Sequence, residues 1–297
     1  MTKPNYKAHY MLIALVLLGF QQTIAQTPPP DFEASYSIIP KGDGDAGYNI
    51  TQIDFRKLGT IKTKKPTNFF TYGLSATQVH ISYKDESFQQ PGLTDFYRVG
   101  VPINYVSVRK NNWIMTAGVI PQLSSNFQSD IQGRDLLIDG YLLFVKRLKR
   151  DRPSSLTVGA IYANSLGYPF PIPYISYWVK GKHIEWNLGL PRTSATYAIN
   201  EKSNLRASLS LQGSNFNLSN NIALADGKTA QRVQINAWAL GLNYERYITK
   251  SLILGAEAGL LINNQYQLLD NKQDEVGKFD VDNGYLVRLS LGYRFGK

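Results

Sequence analysis

A histidine and a serine two residues apart, His80-Ile81-Ser82, are where this chain comes nearest to a nucleophile and its base. Residues i and i+2 of an extended strand share a face, so the His80 imidazole can sit beside the Ser82 hydroxyl and take its proton. Such a pair works best with a third group that orients the imidazole, and the carboxylates that follow, Asp85 and Glu86, fall where a loop is expected. A His-x-Ser spacing also arises by chance in a serine-rich chain, and a plain wall position is the alternative. His183, in His183-Ile184-Glu185, opens another predicted strand, where a girdle or lumen position accounts for it. Gly42-Asp43-Gly44-Asp45-Ala46-Gly47 has the opening of a calcium loop but lacks a third ligand and a closing Glu, so it reads as a flexible loop. There is no phosphate-binding G-x-x-x-x-G-K-[ST], no G-x-S-x-G and no zinc spacing. The absence of cysteine removes disulfides and thiolate metal sites. No cofactor and no metal site are expected, and an enzyme is the less favoured reading.

The elements that would position these residues are strands. Tyr285, Val287, Leu289, Leu291, Tyr293 and Phe295 alternate with Leu286, Arg288, Ser290, Gly292 and Arg294. A period of two over a whole segment means a strand with one apolar side, and the two arginines on the other side need partners. This segment resembles the closing strand and assembly signal of bacterial outer-membrane β-barrels, with the difference that Gly296 and Lys297 follow the aromatic. In the same way His80-Ile81-Ser82 resembles the His and Ser of outer-membrane phospholipases and lipid A deacylases, although no Asn-Gly companion follows Ser82.

At the other end, Lys3 and Lys7 precede an apolar run from Met11 to Phe20 and a small-residue site, Thr23-Ile24-Ala25. That order predicts a secretory signal peptide over residues 1–25 and a barrel domain over residues 26–297. The run is too short for a membrane-spanning helix, which needs about 20 apolar residues. Apolar residues make up 43% of the chain, yet mean hydropathy is only -0.25, and 19 tyrosines outnumber the other aromatics. A barrel has this composition, because its polar lumen dilutes hydropathy while tyrosines gather at the water–lipid girdles. The net charge of +10 would suit nucleic acid or an anionic membrane surface, and export favours the membrane.

Candidate strands run over about 33–39, 48–61, 69–83, 95–109, 113–124, 135–148, 155–166, 173–180, 183–190, 194–200, 204–216, 231–247, 252–266 and 284–295. The segment 136–148 also fits a helix, but its neighbours favour a strand. The fold expected is an all-β transmembrane antiparallel barrel of about fourteen strands, with twelve as the alternative. Alternate connections carry Lys62, Lys64, Lys65, Lys110, Lys149, Arg150, Arg152, Lys182, Lys202 and Lys250 and are mostly short. The others, including 84–94, 217–230 and 267–283, are longer and hold Asp130, Asp270, Asp274 and Glu275 among their acids. Length and charge together place the short turns at the periplasm and the long loops outside.

Alternation then divides lipid-facing from lumen-facing positions. It turns Leu205, Leu209, Leu254 and Leu260 outward, and Asn104, Gly255, Gly259 and Asn263 inward. The expected lumen-lining charges are Asp54, Arg56, Arg98, Asp139, Glu185, Arg206, Glu257, Arg288 and Arg294. Such a set makes either an ion-pair network that fills a narrow barrel or the wall of a wet passage or ligand cavity. Val233, Ile235 and Ala237 alternate in one phase and Trp238, Leu240, Leu242 and Tyr244 in the other, which implies a bulge near Ala237 or a stretch outside the membrane. Tyr168-Pro169-Phe170-Pro171-Ile172-Pro173-Tyr174 either folds inward as a constriction or caps a hairpin.

Three short segments, Pro40-Lys41-Gly42-Asp43, Leu190-Pro191 leading to Tyr197-Ala198-Ile199-Asn200-Glu201-Lys202, and Leu291-Gly292-Tyr293-Arg294-Phe295, are similar to those of a family of Gram-negative outer-membrane β-barrels described as a domain of unknown function. The resemblance implies an exported barrel of unassigned activity and carries over no functional residues. The function expected is a porin-like, solute-binding or structural surface barrel; a lipid hydrolase using His80 and Ser82, or a secreted soluble β-protein, are the alternatives. Expected partners are outer-membrane lipids, the barrel assembly machinery and small solutes, with no nucleic acid.

Overall fold

The computed structural model describes residues 30–40, 48–83, 92–168, 170–224, 227–280 and 283–295. The segments 1–25, Gly42 to Gly47, Asp85 and Glu86 therefore lie outside the described residues. The strands are β1 (Phe32–Ile39), β2 (Tyr48–Lys62), β3 (Asn68–Tyr83), β4 (Asp95–Gly100), β5 (Ile103–Val108), β6 (Trp113–Ser125), β7 (Leu136–Leu148) and β8 (Ser154–Tyr162). They continue with β9 (Pro171–Lys180), β10 (Ile184–Leu190), β11 (Arg192–Asn200), β12 (Ser203–Ala223), β13 (Thr229–Tyr247), β14 (Leu252–Leu269), β15 (Glu275–Asp280) and β16 (Gly284–Tyr293). Apart from β4 with β5 and β15 with β16, sequence neighbours pair antiparallel, and β1 closes the ring on β16. β4 and β5 share one stave between β3 and β6, and β15 and β16 share one beside β14. Sixteen strands thus make fourteen staves of a transmembrane antiparallel β-barrel, and the twelve-strand alternative is set aside.

The first interruption has a local cause. Val101-Pro102 separates β4 from β5, and Pro102 has no N–H for the ladder, although Gly73 N still donates to its carbonyl at 3.0 Å. Segment 136–148 is strand, not helix. Residues 155–166 are not one strand, because β8 stops at Tyr162 and a single 3-10 turn, Asn164–Leu166, follows. Two expected loops are largely strand as well: β12 and β13 extend through most of 217–230, and β15 lies within 267–283. In these segments cross-strand pairing overrides the polar composition that suggested loops.

Alternation decides which side meets lipid. Tyr285, Val287, Leu289, Leu291, Tyr293 and Phe295 are 39–65% exposed, whereas Leu286 and Arg294 are 3% and 5% exposed. Leu205, Leu209, Leu254, Leu260 and Ile262 continue the same apolar band on β12 and β14. A contiguous apolar surface that wraps a barrel is lipid-facing; in water it would be an aggregation surface. No helix among the described residues is long and apolar enough to cross a membrane, which is no obstacle for strands.

The phase change in β13 falls opposite a bulge in β14, since Asn236 faces Gln265 and Trp238 faces Ile262, which sets Ala237 against two β14 residues, Asn263 and Asn264. β13 itself alternates without a break: Val233, Ile235, Ala237 and Ala239 stay buried on one side, and the apolar phase changes because the interior core gives way to lipid-facing Leu240 and Leu242. Opposite, Asn263 has φ +53 and is exposed while Asn264 is buried, so Asn263 does not face inward as alternation alone predicted. The left-handed residue resets the phase of β14 by one, which is what a bulge does.

Beyond this bulge β12 turns in from the wall, while β13 stays paired with β14 as far as Arg232↔Leu269. The β10–β11 hairpin is short, and β12 loses β11 as a neighbour after the pair Arg192↔Ser210. The freed edge reaches β6, where Asn217 pairs with Ser125. Its carbonyls are taken up there. Ser124 Oγ donates to Asn215 O at 2.8 Å, Ser125 Oγ and Asn126 N to Asn217 O at 3.1 and 3.2 Å, and Arg134 Nη2 to Ser219 O at 2.8 Å. An edge that would otherwise hold unpaired acceptors is thereby satisfied across the mouth of the barrel. Residues 214–219 are buried on both faces, and the in–out alternation of the lower half of β12 is lost.

Candidate functional site: the capped interior chamber

The hairpin divides the interior. Toward the loop end, Phe216, Leu218, Val233 and Ile235 of the hairpin pack with Tyr48, Ile50, Val79, Ile81, Tyr83, Phe96, Tyr266 and Leu268 of the wall. Phe96 and Phe216 stack with ring centroids 4.9 Å apart, and Tyr83 Oη meets Tyr266 Oη at 2.7 Å. This cluster is a core inside a barrel, where apolar burial adds to the hydrogen bonds that tie β12 to β6. The other face of β12 is polar and covered. Asn217 Nδ2 donates to Asp135 Oδ1 at 2.6 Å, Asn215 Nδ2 to Asn164 Oδ1 at 2.8 Å, and Ser219 Oγ to Asn126 Oδ1 at 2.7 Å.

Toward the turn end lies a chamber of two volumes, about 260 and 140 Å³, whose walls share Glu33, Ser35, Leu166, Gln212 and Arg288. Asp54, Arg56, Arg98, Asp139 and Arg288 line the larger volume, and Arg206, Glu257 and Arg288 the smaller. Asp54 accepts from Thr77 Oγ1 at 2.8 Å, Ser35 Oγ at 3.3 Å and Gln52 Nε2 at 2.8 Å. Arg56 pairs with Glu33. Arg288 Nη1 meets Glu257 Oε2 at 3.1 Å, and its Nε donates to Ser37 Oγ at 2.9 Å. Arg206 Nη1 meets Glu245 Oε1 at 3.1 Å, and its Nε donates to Thr196 Oγ1 at 3.2 Å. Arg98 lies 4.9 Å over the Phe216 ring and donates from Nη2 to Ser165 O at 3.3 Å. Asp139 accepts the Ser165 N–H at 3.0 Å and the Ser165 hydroxyl. Ser165 therefore ties the 3-10 turn to the floor of the cap.

Two of the nine charges stand apart from both volumes. Glu185 is half-buried on β10 opposite Lys180, and Arg294 lies beneath Tyr247 with its guanidinium 5.7 Å from the ring. Three wall charges escaped the sequence reading: Glu33, Arg192 and Glu245. The signal for Glu33 was present in Glu33-x-Ser35-x-Ser37, which alternates with Ala34, Tyr36 and Ile38. The segment Ala163–Tyr168 turns inward, with Leu166 packed against Leu143 and Ile161, while Phe170 is 56% exposed. Pro169 lies outside the described residues, and Pro171 and Pro173 belong to β9.

His80 and Ser82 sit on the outer face, in rows opposite Thr51 and Asn49. The row below holds Ile53 and Tyr97, both exposed, so the pair stands at the loop-side rim of the apolar band. Sequence reading missed the acid there: His80 Nδ1 lies 2.7 Å from Asp95 Oδ1. Among the described residues no hydrogen bond joins His80 to Ser82, and no cluster of three or more metal-ligating side chains occurs.

Solved structures with a similar course include LpxR from Salmonella typhimurium, at 8% identity and a TM-score of 0.38 over 89% of this chain and 100% of that one. Pseudomonas putida OprB matches at 9% identity and a TM-score of 0.37 over 88% and 93%, and a Pseudomonas aeruginosa FadL homologue at 11% and 0.35 over 89% and 90%. No curated protein matches the chain. A family described as a domain of unknown function, DUF6268, matches residues 48–295, and the chain belongs to that family.

Proposed function

We propose that this protein is an outer-membrane β-barrel, exported with cleavage of residues 1–25, that holds a small solute in a closed chamber and does not stand open as a diffusion pore. The observation that carries this reading is the β12–β13 hairpin, which crosses the barrel mouth and buries Phe216 against Phe96 on the opposite wall. Its lipids are those around the apolar band, and its closing strand β16 is the segment the assembly machinery would read. The test is planar-bilayer conductance of refolded protein that shows heat-modifiable migration. Wild type is expected to give no stable open steps. A variant in which Asn-Gly joins Gly213 to Asn236, a pair already in register, removes the cap and should conduct. Stable steps from the wild type would overturn the proposal.

The contact between His80 and Asp95 favours a second reading, hydrolysis of outer-leaflet lipid, because an orienting acid on Nδ1 is what a serine–histidine pair needs. Under that reading Ser82→Ala abolishes lipid release from mixed vesicles, and under the chamber reading it changes nothing.

A further inference from the structure

We infer that the chamber is built for an uncharged molecule carrying both hydroxyl or amide groups and apolar surface; this rests on the chamber reading. The charges are the first ground. The larger volume is lined by three carboxylates, Glu33, Asp54 and Asp139, and three guanidiniums, Arg56, Arg98 and Arg288. The smaller is again balanced, with Glu33, Glu245 and Glu257 against Arg192, Arg206 and Arg288. A chain with a net charge of +10 thus encloses a chamber whose formal charge is zero. The surplus lies elsewhere, much of it in the turns.

These charges are also engaged by the wall itself. Glu33, Glu257 and Glu245 each hold an arginine, Asp54 accepts from Ser35, Gln52 and Thr77, and Asp139 accepts from Ser165. An ionic guest would have to leave water without a counter-charge, a penalty that a neutral guest escapes.

Polar recognition comes instead from carboxamides. Gln52, Asn104, Gln122, Gln212, Asn236 and Asn264 all line the larger volume, and each can both donate and accept. Gln122 is the telling one. It is only 4% exposed, and its Nε2 has no hydrogen-bond partner among the described residues. A buried amide donor left unpaired is unfavourable unless something supplies the acceptor. Among the carboxamides, Ile50, Val79, Ile235, Leu261 and Leu286 give the same volume apolar surface, with Val79 directly across from Gln52. A few placed polar groups amid apolar surface is the usual make-up of a small-molecule site.

Three absorbing probes of one shape test this. Protein in lipid nanodiscs is dialysed, with empty nanodiscs as blank, against p-nitrophenyl β-D-glucopyranoside, the anionic glucuronide and, at mildly acidic pH, the protonated glucosaminide. The neutral glucoside should be retained well above the blank and both charged probes much less. Gln122→Leu, close in volume, should weaken glucoside binding about five-fold through the lost hydrogen bond. Asp54→Asn, which leaves the wall one positive charge in excess, should shift preference toward the glucuronide; this variant keeps the test intact if Gln122→Leu fails to fold. Retention of a charged probe in place of the glucoside would overturn the inference and leave the chamber standing. Retention of none would remove both.

Discussion

The two halves of the interior are closed by opposite chemistry. Toward the loop end, Phe96, Phe216, Tyr266 and their neighbours fill the barrel with apolar and aromatic side chains, while toward the turn end the wall carries Arg56–Glu33, Arg206–Glu245 and Arg288–Glu257. Apolar contact is non-directional, so the aromatic cluster tolerates imperfect matching of its partners, while the polar face of the cap is held by directional bonds with Ser124, Asn126 and Asp135. An ion pair is directional, and losing one member leaves the other charged in a poorly solvated wall.

The largest effect is expected where the apolar half is emptied. Phe216 is fully buried, stacks on Phe96 and lies under the Arg98 guanidinium. Phe216→Ala should cost about 3–5 kcal/mol, read as a lower temperature of conversion in a heat-modifiability series. Leu289→Ala is the matched control, because Leu289 is 59% exposed on the lipid face and its removal opens no internal cavity. Equal losses from the two variants would mean that the hairpin cluster is not a core.

A smaller effect distinguishes the ion-paired half. The Arg288 and Glu257 side chains are 19% and 14% exposed, so solvent screens the pair only in part. Arg288→Met should cost about 1–3 kcal/mol, mostly because Glu257 is left without its partner. Adding Glu257→Gln to it should recover part of that loss, since no lone charge then remains. A double variant whose loss equals the sum of the singles would contradict the comparison, because it would mean that the pair contributes nothing jointly.

How much of this was legible in the sequence follows the same division. The wall was legible because lipid on one side and water or paired polar groups on the other impose a strict period of two, as in Tyr285 to Phe295 and in the lower half of β12. The irregularity near Ala237 showed too, where one apolar phase yields to the other, although the bulge itself lies opposite it in β14. The cap was not legible. Asn215-Phe216-Asn217-Leu218-Ser219 still alternates, but both faces are buried, and the partners that bury its polar face lie about ninety residues away in sequence: Asn215 meets Ser124, and Ser219 meets Asn126. Periodicity reports that a strand has two sides, not that both are covered. Of the site, the inward charges could be read individually, while their pairing could not, because Glu33 and Glu245 belong to neighbouring staves that only the register brings beside Arg56 and Arg206. Asp95 was missed for the same reason: it comes opposite His80 only through the pairing of β3 with β4.

The smallest expected effect uses that same outer pair to calibrate the interior. His80 and Asp95 make contact at 2.7 Å, shorter than the 3.1 Å of Arg206 and Glu245, yet their side chains are 49% and 38% exposed against 6% and 16%. If distance decided the strength of an ion pair, the outer one would matter more. Water access decides otherwise, because exposed pairs are screened and must order two side chains for little gain. Asp95→Asn should therefore change stability by about 0.2–1 kcal/mol, whereas Glu245→Gln, which strands the Arg206 guanidinium against Thr196, should cost several times more. Thermal conversion of the two variants under one salt condition, repeated at high salt, checks this. The Asp95→Asn difference should stay small and the Glu245→Gln difference should persist, since water and ions reach the rim of the apolar band more freely than the inner wall.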